Sequence, residues 1–399
     1  EFVQIPSVAE FGAEGYPYGP QCARALDFCA QLCQEKGLDT VNHDYRCLEA
    51  RPPQPSQGRR LVIASHADVV PADQDNLYPP FGGTVQGDYI VGRGVVDDKG
   101  PLMATLYALA FFQEKQIPLK NDIRLVFGSN EERGMDDMAY SLEKVGPPDW
   151  GLAADDDVPV THGEKGQIQF TLSARKHPQV ESLHSQGELQ RMIHDSATLC
   201  RDGETITENR RDNGGNPLVR LIKEHGPLLE DALTDQVLRE LCDDPIAALL
   251  GLHRQDAVSG QTLLRLYQLD TKGDQLCFSF DVRLPVSFPV EDALPILQAT
   301  AAQLGYYVPT DDPMVTMLTD LYNNEANSQD QPYVMGACTY PTLFRHGCGF
   351  GGGNPHEVKP FPAGHGAAHG PDEAHNIPVL LDAIKLYILG IKAIDERWG

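Results

Sequence analysis

Four short apolar runs in this 399-residue chain each lead, within six residues, to side chains able to bind a cation or move a proton. LVIAS (61–65) runs into His66 and Asp68, and YIVGRGVV (89–96) into Asp97 and Asp98. IRLVFGSN (123–130) runs into Glu131 and Glu132, and WGLAA (150–154) into Asp155, Asp156 and Asp157. A late histidine-rich stretch, GHGAAHGPDEAHN (364–376), adds imidazoles. In open α/β sheets ligands bind beyond the carboxyl ends of the strands, so these acids converge if the runs are neighbouring strands. Carboxylates packed that closely keep their charge only around a cation, because mutual repulsion otherwise drives protons onto them. Three carboxylates and two imidazoles around two divalent ions give −3 against +4, and one hydroxide closes the sum. Singly, each signal is ordinary: an HxD pair is usually solvated or in a core, an EE pair an exposed helix face, a DDD run a loop. Their order, each behind an apolar run, points to a metal centre that activates water.

The elements that must position these residues follow from the patterning. Residues 20–37 repeat apolar positions at helical spacing and stop at Gly37, and a second helix is expected from Leu102 to Gln116 behind Gly100 and Pro101. Strands alternating with such a helix predict an α/β fold, a mostly parallel sheet flanked by helices. From 168 to 308 the texture changes: LCFSFDVRLP (276–285) reads as a half-exposed strand and EDALPILQATAAQLG (291–305) as a helix after it. The expected organisation is a catalytic domain built from 1–167 and 309–399, interrupted by an inserted α+β lid domain over 168–308. A glycine-rich segment, GCGFGGGNP (347–355), precedes a closing amphipathic helix near Val379.

Composition narrows the function classes. With 32 Lys+Arg against 57 Asp+Glu the net charge is −25, which repels nucleic-acid phosphates and anionic lipid. The longest apolar stretch, Val379 to Ile394, carries Asp382 and Lys385, so no membrane span is expected. Nine cysteines occur without a CxxC pair, and Cys22, Cys29 and Cys33 sit at near-helical spacing. They read as buried small apolar groups of a cytoplasmic protein rather than zinc-finger ligands. No leader peptide is evident, and the chain begins with Glu1 rather than Met, so an upstream segment stays open.

SHADVVP (65–71), GRGVVDDKGP (92–101), GSNEE (128–132), Ala154-Asp155 and HGPDE (369–373), in this order, resemble the carnosinase–acylase family of dinuclear zinc metallopeptidases. HGEKG (162–166) and GACTY (336–340) are most similar to its bacterial Xaa-His dipeptidase (peptidase V) branch. The resemblance implies that Asp97 bridges two zinc ions. It implies that His66 and Asp155 complete one shell, and that Glu132 and His369 complete the other. Manganese or cobalt suits the same nitrogen and oxygen donors. Asp68 is expected to accept the free ring N–H of His66, and Glu131 to be the general base that takes a proton from water and returns it to the leaving amine. A cis peptide between Asp97 and Asp98 is also implied. Arg283 matches a family arginine assigned to substrate binding, where a guanidinium pairs with a substrate carboxylate.

Three family features are missing. Thr207 stands where the insert normally has a histidine supporting the oxyanion, with His177, His184, His194, His225 and His253 as candidate substitutes. No asparagine matches near Thr262, and TYPT (339–342) has Thr342 in place of an arginine. The glycines at 351–353 either offer N–H groups to substrate or form a flexible loop. The expected activity is a dipeptidase acting on small peptides with a free C-terminus, with Asp98 or the Asp156/Asp157 pair meeting the substrate amine. An N-acyl amino acid amidohydrolase and a catalytically impaired metal-binding homologue are the alternatives. A homodimer through the insert and a monomer both remain open.

Overall fold

The runs at 61–64, 123–127 and 150–154 form adjacent parallel strands in the computed structural model. It describes every residue except 13, 55, 73–74, 188–192, 210–214, 298–300, 304–305, 337–338, 345 and 399. The chain divides into two compact units, one of Glu1–Gly163, Tyr307–Tyr333 and Thr339–Gly399, the other of Glu164–Tyr306 and Val334–Cys338.

In the first unit the strands are β1 (Asp39–His43), β2 (Cys47–Arg51), β3 (Arg60–His66), β4 (Thr84–Gln86), β5 (Tyr89–Val91), β6 (Asp122–Gly128), β7 (Trp150–Ala153), β8 (Gly347–Gly349) and β9 (Ala374–Asn376). The helices are α1 (Pro20–Glu35), α2 (Lys99–Glu114), α3 (Asp136–Val145), α4 (Pro313–Ala326) and α5 (Ile377–Trp398). The main sheet begins β1-β2-β6-β3-β7-β8 and continues with the strand Thr161–Glu164, antiparallel to β8 with Gly349 opposite Thr161. Its centre is parallel (β6 with β3, β3 with β7, β7 with β8), while β1-β2 and β2-β6 are antiparallel. Central strands covered on both faces should be apolar throughout, and β6 is buried at all seven positions. Helix α2 packs on β3, β6 and α5, and opens at Lys99, three residues ahead of the expected Leu102. Pro101 sits in its first turn, where a missing N–H costs nothing. Cys22, Cys29 and Cys33 lie fully buried on α1, as apolar groups.

One expected neighbour is elsewhere. β5 is not in the main sheet; it lies in a separate antiparallel sheet of order β9-β5-β4, with Ala374 opposite Val91. Three residues with only Val91 buried carry too little apolar surface to hold a place in a doubly covered sheet.

The second unit has its own core, with Ile168, Leu199, Leu221, Leu266, Phe278 and Phe280 among its buried members. The strand over Gln275–Leu284 is flanked on both sides, by Leu263–Lys272 and Gly166–Arg175, so it is largely buried rather than half-exposed. The helix expected over 291–305 stops short: Val290–Leu297 is helical and Ala301–Gln303 is a strand beside Gly166–Arg175, while 298–300 and 304–305 lie outside the described residues. Pro295 inside that helix lacks the N–H that continuation requires.

The central strands set the first unit's stability. Leu125 on β6 is fully buried, whereas Val85 on β4 is 64% exposed. Leu125→Ala is expected to lower the unfolding free energy by about 2–5 kcal/mol in urea titration. Val85→Ala should stay within about 0.5 kcal/mol of the parent.

Candidate metal centre

His66 closes β3, Glu131 and Glu132 follow the end of β6, and Asp155 follows the end of β7, so three neighbouring parallel strands deliver these groups to one edge. Asp97 arrives from the turn between β5 and α2, and His369 from the loop ahead of β9. The Asp97–Asp98 peptide is cis.

The distances bring the five expected ligands together. Asp97 Oδ1 lies 2.8 Å from His66 Nε2, and Asp97 Oδ2 lies 2.7 Å from His369 Nε2. His66 Nε2 is 3.5 Å from Asp155 Oδ2, and His369 Nε2 is 3.2 Å from Glu132 Oε1. Ligand atoms of His66, Asp97 and Asp155 all lie within 4.8 Å of one another, as do those of Asp97, Glu132 and His369. Donors about 2.1 Å from one ion stand up to roughly 4 Å apart, so each group closes around a single cation with little adjustment. His369 Nε2 and Glu132 Oε1 are buried and have no hydrogen-bond partner among the described residues, despite their closeness. Donor atoms crowded on one point fit a cation. The donors, imidazole and carboxylate without thiolate, suit zinc, manganese or cobalt.

Electrostatics describes the same crowding. Burial, then the carboxylate of Asp97, pushes Glu132 up to about 7. Burial likewise raises Asp155, again with Asp97 as the main charge against it, and raises Glu131 well above the ordinary range. For the imidazoles burial works the other way but is outweighed. Asp97 and Glu132 carry His369 up to about 12, and Asp155, Asp68 and Asp97 hold His66 well above its usual value. Asp97, between the two rings, is held below the usual carboxylate range although burial opposes it.

The surrounding acids hold loops. His66 Nδ1 is nearest the backbone carbonyl of Asp68, at 3.0 Å, with that residue's carboxylate at 3.4 Å. The main partners of the Asp68 carboxylate are the backbone N–H groups of Glu131 and Glu132, each at 3.2 Å. Asp137, which the sequence did not flag, accepts the N–H groups of Ser129 and Asn130 at 2.7 Å and the Tyr340 hydroxyl at 2.8 Å. Four consecutive backbone donors, 129 to 132, are thus taken by two carboxylates. An acid seven or eight residues beyond Ser129 and Asn130, at the start of a helix, was the available signal. Asp98, expected as a partner for a substrate amine, is fully buried and accepts the His66 backbone N–H at 2.9 Å. It supports the cage from behind.

The glycine-rich segment has a steric explanation that neither expectation anticipated. A Cβ on Gly351 would stand 1.4 Å from the Asp156 carbonyl oxygen, and one on Gly353 would stand 1.8 Å from Asp157 Oδ1. These glycines let the chain press against the loop that begins at Asp155.

Arg283 lies in the second unit, donating from Nε to Asp281 Oδ2 at 2.8 Å and from Nη1 to the Gly336 carbonyl at 2.9 Å. Thr207 Oγ1 pairs with Thr198 Oγ1, and Thr342 Oγ1 donates to the Thr339 carbonyl. Of the insert histidines, His194 pairs with Ser185 and His184 with Asp270. Glu208, Glu224 and His225 form a third acidic group, but Arg220 Nε stands 3.1 Å from Glu208 and already supplies a positive charge.

Similarity to known proteins agrees with this geometry. A Staphylococcus aureus (strain MW2) protein named "putative dipeptidase" is 26% identical over 401 residues, covering 85% of each chain. Among solved structures, an M20 family metallo-carboxypeptidase of Sulfolobus solfataricus has a TM-score of 0.63 at 16% identity, covering 99% of this chain and 98% of that one. Human carnosine dipeptidase 1 has a TM-score of 0.61 at 16% identity, covering 99% of this chain and 95% of that one. The family described as Peptidase family M20/M25/M40 matches residues 62–392, a span that holds every cage ligand. The chain belongs to that family.

Proposed function

We propose that this metallopeptidase is a dipeptidase that hydrolyses small peptides with a free C-terminus, using two divalent cations and Glu131 as general base. The observation that carries the reading is the division of one carboxylate between two imidazoles: Asp97 turns Oδ1 toward His66 and Oδ2 toward His369. His66, Asp97 and Asp155 would hold one ion, and Asp97, Glu132 and His369 the other. Such ions, when bound, supply Lewis-acid chemistry that acidifies water and polarises a carbonyl. Zinc is our first assignment, on the donor chemistry given above.

The chain's own residues do the rest. Glu131 takes a proton from water at its carboxylate and returns it to the leaving amine nitrogen. Asp68 holds the backbone at Glu131 and Glu132, fixing where both side chains start. The names of the Staphylococcus and human relatives support peptide substrates of two residues, and the Sulfolobus name supports a free C-terminus. We assign the second unit, Glu164–Tyr306 with Val334–Cys338, as the lid domain expected over 168–308, with Arg283 as the group that meets the substrate carboxylate. For the site of action we assign the cytoplasm: the eight described cysteines are free thiols. Among the described residues no helix is long and apolar enough to cross a membrane. One observation favours the amidohydrolase reading: Asp98 is committed to His66 rather than open to a substrate ammonium.

A panel of dipeptides beside N-acetyl amino acids separates the two activities; hydrolysis of the acylated set alone overturns the dipeptidase assignment. Glu131→Gln should lower turnover at least about 100-fold while metal content stays at two equivalents. Asp97→Ala should lose both metal and activity, and retention of two equivalents would contradict its bridging role. The metal-free protein should also show a pH signature. Glu132 and Asp156, raised to about 7 and about 8 chiefly by burial, and His369, raised to about 12, all bind protons more tightly folded than unfolded. Their contribution is therefore full at low pH and is lost as pH climbs through the folded values. Melting temperature without metal should fall from pH 6.5 to 7.5, and zinc at pH 7.5 should restore it.

A further inference from the structure

Asp97 and His369, which belong to the two cation groups, stand on neither helix nor strand, and something else must fix their separation. His369 even has φ +61, a left-handed conformation that a residue with a side chain seldom adopts unless its surroundings impose it. The group lying between their two loops is Glu373, 1% exposed and outside the cage. Its Oε2 accepts from Arg93 Nη1 at 2.7 Å and from the Gly94 N–H at 3.1 Å. Its Oε1 accepts from the N–H groups of Val96 at 2.8 Å and of Asp97 itself at 3.0 Å. The Glu373 carbonyl accepts the Gly92 N–H at 2.8 Å. Arg93, 4% exposed, reaches back with Nη2 to the His369 carbonyl at 3.3 Å. The pairing of β5 with β9 sets the register, with Ala374 opposite Val91. Gly94 has φ +88, and a Cβ there would meet Val69 Cγ1 at 2.6 Å, so the turn has no slack of its own.

We propose that Glu373 and Arg93 are a positioning pair that holds the Asp97 turn and the His369 loop at one fixed separation, so that the two cation sites form or fail together. The inference rests on the dinuclear reading above. A carboxylate is required at 373 because four donors converge on its two oxygens; an amide there would turn an NH2 donor toward another donor. The positive partner is equally required, since a buried carboxylate and a buried guanidinium are each costly without the other. Arg93 is placed to pair with Glu373 and cap His369 at once because its nitrogens lie in a rigid fork; a lysine offers one point charge and cannot span both.

The test uses the full chain, stripped of metal and titrated with Zn2+ against a chelator and with Co2+ followed by its visible absorption. The parent should bind two equivalents. Glu373→Gln should weaken both equivalents together, by about tenfold or more, and alter the Co2+ spectrum of each, since loss of such supporting partners typically costs 10–100-fold in affinity. Arg93→Lys should fall between the two. Metal-free melting and circular dichroism report whether Glu373→Gln folds, and if it does not, Arg93→Lys carries the test alone. Parent-like affinity and spectrum in a folded variant would overturn the positioning role. So would loss of one ion with the other unchanged. A parent that binds fewer than two ions would instead overturn the dinuclear reading, and this inference with it.

Discussion

Like charges buried together are the constraint on which this first unit is built. Asp68, Asp97, Asp98, Glu131, Glu132, Asp137, Asp155 and Glu373 all belong to the segments that form the site, and two imidazoles cannot balance them. The acids divide into two classes by what reaches their oxygens. Asp68, Asp137 and Glu373 accept from backbone N–H groups, and Glu373 also from a guanidinium; their charge is spent on fixing the chain. Asp97, Glu132 and Asp155 have ring nitrogens as their nearest partners, and Glu132 Oε1 has no donor among the described residues. The first class removes the freedom of the loops, and the second keeps its lone pairs for a cation. Neither works alone, because unsaturated acids on loose loops would separate to relieve their repulsion.

Sheet topology explains why the support is unequal. His66, Glu132 and Asp155 follow directly from strands that pair with one another, so strand hydrogen bonds already hold their origins within a few ångströms of one edge. Asp97 and His369 get no such help, since the strands beside them, β5 and β9, pair outside the main sheet. The polar contacts of Glu373 and Arg93 join those two loops instead. Backbone-to-carboxylate bonds there replace the strand ladder that the other three ligands enjoy.

What the sequence made legible was whatever repeats locally. Apolar runs of four or five residues gave the central strands, and the acids behind them are the side chains that the structure gathers at one sheet edge. Less visible was everything decided by partners far along the chain. The strand at 89–91 looks like the others, but its place depends on Ala374–Asn376. The helix expected to 305 ends earlier because Gly166–Arg175 offers an edge on which Ala301–Gln303 can pair. Glu373 sits in the quoted HGPDE segment, yet its partners are mostly amides, which leave no side-chain signature. Two signals were present and unread. Asp281 and Arg283 alternate on one strand, so they share a face, and their ion pair follows from that spacing. The glycines at 351–353 mark a place where two backbones touch, a third use of glycine beside substrate contact and slack.

The separation of cage from substrate-gripping parts then has a physical basis. All five cage residues, together with Asp68, Glu131, Asp137, Arg93 and Glu373, belong to the first unit. The positions where family features are missing show the opposite economy. Thr207 and Thr342 satisfy their hydroxyls on near neighbours. Residues whose polar atoms are satisfied locally can replace one another without disturbing the acids, because no unpaired charge is left behind. A change at any cage acid exposes the others to one another's repulsion and is felt across the whole site. On the proposed reading, a change at Thr207 or Thr342 leaves no buried charge unpaired, whereas a change within the buried acid group does.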